Sequence, residues 1–141
     1  MNVELVGLDG VLDKLDSLVD SQRLEQAMKT ACALVEREAK RKAPKGNGEL
    51  RRSITSRTEN TGNNIIGVVY TPLEYAPYVE FGTGLFAEDG NGRKDVPWHY
   101  QDDKGEWHST SGMKPQPYLR PALNENTQNI KRILKGALNN D

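Results

Sequence analysis

An α+β fold, with two N-terminal helices and a C-terminal helix packed on a small, mostly antiparallel sheet of about four strands, follows from three observations. Apolar residues recur every three or four positions through the first forty residues and again over 119–138. Between those stretches lie short runs rich in β-branched and aromatic residues, and turn chemistry separates the runs. At 141 residues the chain is of single-domain length, so it is read as one domain over 1–141 with a flexible loop at about 86–95.

Leu8, Val11, Leu12, Leu15, Leu18 and Val19 define the first helix, with Asp13, Lys14 and Asp16 on its other side. In the longer second helix Leu24, Ala27, Met28, Ala31, Leu34, Val35 and Ala39 form the stripe, opposite Arg23, Glu25, Lys29, Glu36 and Lys40. It ends before Pro44, because proline pushes its predecessor out of helical geometry, and Lys40, Arg41 and Lys42 suit the negative end of the helix dipole. Residues 50–57 and 64–70 are expected to be extended and to form a hairpin turned by Glu59-Asn60-Thr61-Gly62-Asn63. A second hairpin is expected from 96–100 and 106–109, turned through Asp102-Asp103-Lys104-Gly105, with Val96, Trp98 and Tyr100 on one face and Pro97 at an edge or strand start. The glycine-rich, polar stretch 87–95 has no periodicity and reads as a mobile surface loop. Leu119, Ala122, Leu123, Ile130, Ile133, Leu134, Ala137 and Leu138 give the last helix its apolar side, with Pro121 at its first position.

Composition narrows the function. Hydrophobic residues make up 35% of the chain and mean hydropathy is -0.73, so the core is thin and part of the stability is expected to come from contacts with other chains. A formal charge of -1 gives no global attraction to nucleic acid or an anionic membrane. Cys32 has no second cysteine to pair with, and on the apolar side of a helix it reads as a small buried hydrophobe. No stretch approaches the length needed to cross a bilayer, and the N-terminus lacks a signal-peptide pattern, so a soluble protein is expected.

Few residues offer chemistry. Lys40, Arg41, Lys42, Lys45, Arg51, Arg52 and Arg57 form the densest basic cluster and are the candidate DNA-facing set; the plainer reading is a solvated helix end followed by an outward strand face. His99, His108, Asp102 and Asp103 would bind a metal only if register set both imidazoles on one face, and finger-like spacing is missing. Ser53, Ser109 and Ser111 lack a nucleophile-elbow or SxxK setting, and Gly82-Thr83-Gly84 lacks the lysine of a phosphate-binding loop. No catalytic residue, cofactor or metal is assigned, and the chain reads as a non-enzyme.

Two segments stand out, 75–84 (YAPYVEFGTG) and 115–122 (PQPYLRPA), each setting aromatics beside proline and one charge. Pro77 starts a short helical turn with Tyr78 and Phe81 on one face, and Gly82 ends it. Pro115 and Pro117 keep the chain extended ahead of Tyr118 and Leu119. An ion pair between Glu80 and Arg120 is a hypothesis from their opposite charge and similar surroundings; a double-mutant cycle without coupling would remove it.

With the long helix ending at Ala43-Pro44 and the segment Gly48-Glu49-Leu50-Arg51-Arg52-Ser53-Ile54, these motifs resemble the tail-completion or head-tail joining (neck) proteins of long-tailed bacteriophages and prophages, over about residues 5–138. The resemblance implies a structural virion protein located in the neck or tail and made in the bacterial host cytoplasm. It implies a homo-oligomeric ring, a hexamer with a dodecamer as the alternative, that contacts the head connector and the tail terminator or tail tube while DNA passes nonspecifically through. Carried over as fold-defining or subunit-contact positions are Tyr75, Tyr78, Glu80, Phe81, Gly82, Thr83, Pro117, Tyr118, Arg120 and Pro121. The alternatives are a head-closure or tail-terminator protein of the same neck or, from another class, a nucleic-acid-binding accessory protein using residues 40–57. A metal-dependent nuclease is a distant third.

Overall fold

A computed structural model describes residues 2–4, 21–46, 48–61 and 64–138. The helix expected over 8–19 lies outside the described residues. The chain divides into two compact units, Met1–Pro72 with Tyr118–Asp141, and Leu73–Pro117.

In the first unit, helix α1 (Ser21–Lys42) is the spine. Leu24, Ala27, Met28, Ala31, Cys32, Val35 and Ala39 are all buried at the spacing expected of one face. Leu34, expected in the stripe, is only half-buried at its edge. On the outer side Glu25 pairs with Lys29, Glu36 with Lys40 and Glu38 with Arg41, each worth at most about 0.5 kcal/mol. Helix α1 packs on a sheet of order β1-β3-β2, antiparallel throughout, made by β1 (Asn2–Glu4), β2 (Thr55–Asn60) and β3 (Ile65–Tyr70). Val3 faces Val69 across one ladder and Ser56 faces Val69 across the other, so β3 is the central strand. The sequence gives no sign of β1, since three residues are too few to display a period.

Gly67 explains how closely α1 lies on the sheet. A Cβ there would sit 2.8 Å from Met28 Sδ and would collide with Cys32 Sγ. Burial also pushes the Cys32 thiol up to about 11, with Glu36 adding to the shift, so the thiolate is absent at neutral pH.

Two expectations need correction. Residues 50–53 are not strand: helix α2 (Glu49–Ser53) precedes β2. Leu50 and Ile54 are both buried at helical spacing, Gly48 supplies a left-handed backbone before the turn (φ 81), and Ser53 Oγ bonds Leu50 O at 2.6 Å. The C-terminal helix is two helices, α4 (Leu119–Asn124) and α5 (Thr127–Leu138). Asn126 interrupts them, its Nδ2 donating to Ala122 O at 2.8 Å while its own carbonyl accepts from Ile130 N–H. Pro121 is third in α4, still within the first turn where its missing N–H is harmless. Lys42 reaches Glu125 after α4, and Ile130 and Leu134 of α5 are buried.

The second unit contains helix α3 (Ala76–Phe81), a 3-10 turn (Gly84–Phe86) and a hairpin of β4 (Trp98–Gln101) with β5 (Trp107–Thr110). The class is α+β as expected, but the strands form two separate antiparallel sheets, of three strands and of two. The hairpin lies close to its expected position, and Pro97 directly precedes β4.

Candidate interaction surface

The second unit is built on backbone hydrogen bonds. Thr83 N–H donates to Met113 O (2.9 Å), Leu85 N–H to Ser111 O (3.0 Å) and Gln116 N–H to Val79 O (2.8 Å), so residues 111–116 run beside 79–85. Thr83 Oγ1 accepts from Met113 N–H at 2.9 Å. Gly84 and Gly112, both with positive φ, let the two strips touch: a Cβ on Gly112 would lie 2.9 Å from Gly84 Cα. Gly82 ends α3 with φ 83, its N–H bonded to Tyr78 O. Thus the Gly-Thr-Gly run stops a helix and admits a neighbouring segment.

On this frame α3 sorts its side chains by direction. Ala76, Val79 and Glu80 are buried, whereas Tyr78 is 59% exposed and Tyr75 and Phe81 are each more than a third exposed. Glu80 belongs to this unit and Arg120 to the other, and both take part in polar interactions. Tyr118 is closed to solvent, Arg120 and Pro121 are half-buried, and Pro117 is exposed.

Tyr78 and Phe81 lead into a cleft of about 570 Å³, with Pro77 and Gly82 to Gly84 on one wall and Asp89, Asn91, Arg93 and Trp98 completing it. The stretch 87–95, anticipated as a mobile loop, is shaped by turns. Glu88 N–H donates to Phe81 O at 2.8 Å, Asp89 Oδ1 accepts from Asn91 N–H at 2.9 Å, and the Arg93 guanidinium lies over Trp98 at 5.1 Å from the ring centroid.

Further along, Tyr100 faces His108 across the hairpin and the rings stack with centroids 5.3 Å apart. His99 faces Ser109, so the two imidazoles fall on opposite faces and the register does not meet the condition for a two-histidine metal site. Asp102, Glu106 and His108 do bring ligand atoms within 4.8 Å of one another. Turn chemistry accounts for this cluster: Asp102 Oδ1 accepts from the N–H groups of Lys104 and Glu106, both at 2.9 Å, and Oδ2 meets His108 Nε2 at 2.7 Å. The His108 bond and the Glu106 N–H hold the Asp102 carboxyl below its usual range.

The basic set is largely engaged by neighbouring acids. Lys40, Arg41 and Lys42 pair with Glu36, Glu38 and Glu125, and Arg57 bonds Glu59 at 3.1 Å while lying 5.0 Å over the Tyr70 ring. Lys45 and Arg52 are exposed, and Arg51 is half-buried with its Nε enclosed. Ser53 Oγ lies 2.7 Å from buried Thr71 Oγ1, a packing role. Sequence reasoning also missed a surface concentration: among the described residues every exposed large apolar side chain, Tyr75, Tyr78, Phe81, Leu85, Phe86, Tyr100 and Trp107, belongs to the second unit. Tyr75, Tyr78 and Phe81 were already candidates from the 75–84 segment; Leu85, Phe86, Tyr100 and Trp107 look ordinary in sequence, and only their placement in the same unit adds them.

No helix among the described residues is long and apolar enough to cross a membrane. No curated protein and no solved structure matches the chain. A family model described as "Bacteriophage HK97-gp10, putative tail-component" matches residues 9–82, from before α1 to the glycine that ends α3. That match spans more than half of the chain, and with the motif at 75–84 on its last turn it leads to one statement: the chain belongs to the HK97-gp10-like family of bacteriophage tail components.

Proposed function

We propose that this tail component is a tail-completion, or head-tail joining, subunit that assembles into a ring connecting the tail to the head connector around the DNA path. The observation that carries the reading is the outward apolar surface of Leu73–Pro117, in a protein whose family is a virion part. Tyr78 and Phe81 line one cleft, and exposed apolar side chains that share a surface are the usual mark of a protein contact. Tyr75, Tyr78 and Phe81 serve as contact positions with neighbouring subunits, while Glu80, Gly82, Thr83 and Tyr118 act as the frame behind them. Ion pairing within the basic set favours this reading over a nucleic-acid-binding accessory protein, since a cation already neutralised by a carboxylate releases few counterions from DNA.

Deleting the gene from the phage tests the role. The expected result is filled heads and tails of normal length that fail to join, with joining restored by the purified protein. Tails of uncontrolled length would instead identify a tail terminator, and heads that leak DNA would identify a head-closure protein.

A further inference from the structure

We propose that successive copies pack head to tail, the acidic and aromatic surface of Leu73–Pro117 in one copy against the cationic outer face of α5 in the next. This names the subunit contact of the ring and rests on that reading.

Charge is divided unevenly along the chain. Leu73–Pro117 contains eight acidic and four basic residues, a formal -4, while the rest contains fifteen basic and twelve acidic, a formal +3. Of these eight acids only Glu80 is buried, and Glu106 is next in sequence to Trp107, which is 69% exposed. In the first unit Lys29, Lys40, Arg41 and Lys42 of α1 and Arg57 of β2 each meet a carboxylate, whereas α5 contains Lys131, Arg132 and Lys135 and no acidic residue. Arg132 bonds only the neutral Asn129 side chain at 3.2 Å, and no ion pair among the described residues involves any of the three. Lys135 suits the helix dipole, yet Lys131 and Arg132 lie too far from the C-terminus for that to account for them.

The charges also decide which surfaces can meet. A contact of the second unit with its own copy would oppose two net-acidic surfaces, and a contact of α5 with itself would oppose two cationic stripes; like charges across an interface are costly. Only the unlike pairing is complementary. Because it joins two different patches, it is heterologous and generates a ring when the rotation closes, whereas a self-complementary patch would stop at a dimer.

Two reversal variants test the contact. One carries Lys131→Glu, Arg132→Glu and Lys135→Glu; the other carries Asp95→Lys, Asp103→Lys and Glu106→Lys. Circular dichroism and melting temperature establish that each is folded, and sedimentation velocity together with complementation of a gene-deleted phage reads assembly. Each variant alone is expected to associate roughly tenfold or more weakly than the native chain and to fail complementation. An equimolar mixture of the two, or one chain carrying all six changes, is expected to regain assembly, because every contact is again between unlike charges. Variants that both assemble normally would overturn the head-to-tail contact and leave the ring standing. Native protein present at one copy per particle would overturn the ring and the contact together. Loss of salt-dependent binding to a 30-base-pair duplex on α5 reversal, with oligomerisation unchanged, would assign α5 to DNA and also overturn the proposal.

Discussion

Among the described residues, seventeen of the buried apolar side chains belong to the first unit and two, Ala76 and Val79, to the second, while every exposed large apolar side chain lies in the second. The first unit is held by a helix stripe packed on a sheet, with about 1.5–3 kcal/mol from each large aliphatic side chain it removes from water. Backbone hydrogen bonds and glycine contacts between 79–85 and 111–116 hold the second, and most of its large apolar side chains are exposed. One unit hides most of its described apolar groups from water; the other leaves its large ones at the surface.

Substitutions that separate these two behaviours fall in order of size. Tyr118→Ala removes a fully buried aromatic from the first unit and is expected to cost about 3–5 kcal/mol in urea denaturation. Gly67→Val drives a side chain into Met28 and Cys32 and is expected to cost about 1–3 kcal/mol, less than the tyrosine because α1 can shift on β3. If the Gly67 variant is as stable as the native chain, the close helix-sheet approach is not what organises the first unit. The same packing predicts that Cys32 resists a thiol reagent at pH 8 in the folded protein and reacts fully in denaturant.

Effects in the second unit are local. Asp102 has a depressed folded-state pKa, so its support of the hairpin turn is complete above the ordinary aspartate range near about 4 and is lost as pH falls through the lower folded value. The Glu106 and Lys104 amides should lose hydrogen-exchange protection over that acidic window while the amides of α1 keep theirs; unchanged protection at Glu106 would deny Asp102 this role. Smallest in stability is Trp107→Ala, expected within about 0.5 kcal/mol of the native chain, with its effect confined to assembly. A large drop in melting temperature for Trp107→Ala would mean that the second unit depends on its own aromatics after all.

Legibility in the sequence follows the same division. Helix α1 was readable because seven apolar positions repeat on one period, and both hairpins because glycine, asparagine and aspartate mark their turns. Residues 50–53 were misread because Leu50 and Ile54 fit either period over so short a run, and the break at Asn126 because apolar spacing resumes in phase beyond it. The surface was the least visible part. Tyr78 and Tyr118 both stand beside prolines in the sequence, yet one is 59% exposed and the other 0%, and only tertiary packing distinguishes them. Likewise the basic run 40–57 looks available until its carboxylate partners come within reach, whereas the three cations of α5 attract little notice in sequence.

The paired strips at 79–85 and 111–116 close the intervening chain at its base by main-chain bonds that do not depend on which side chains lie beyond them. With 86–92 also resting on this base, the hairpin tip around Asp102–Gly105 is the part that can be shortened, lengthened or transplanted at a modest entropic cost. A chimera carrying a different sequence at that tip, between the two strips, should melt at the temperature of the parent.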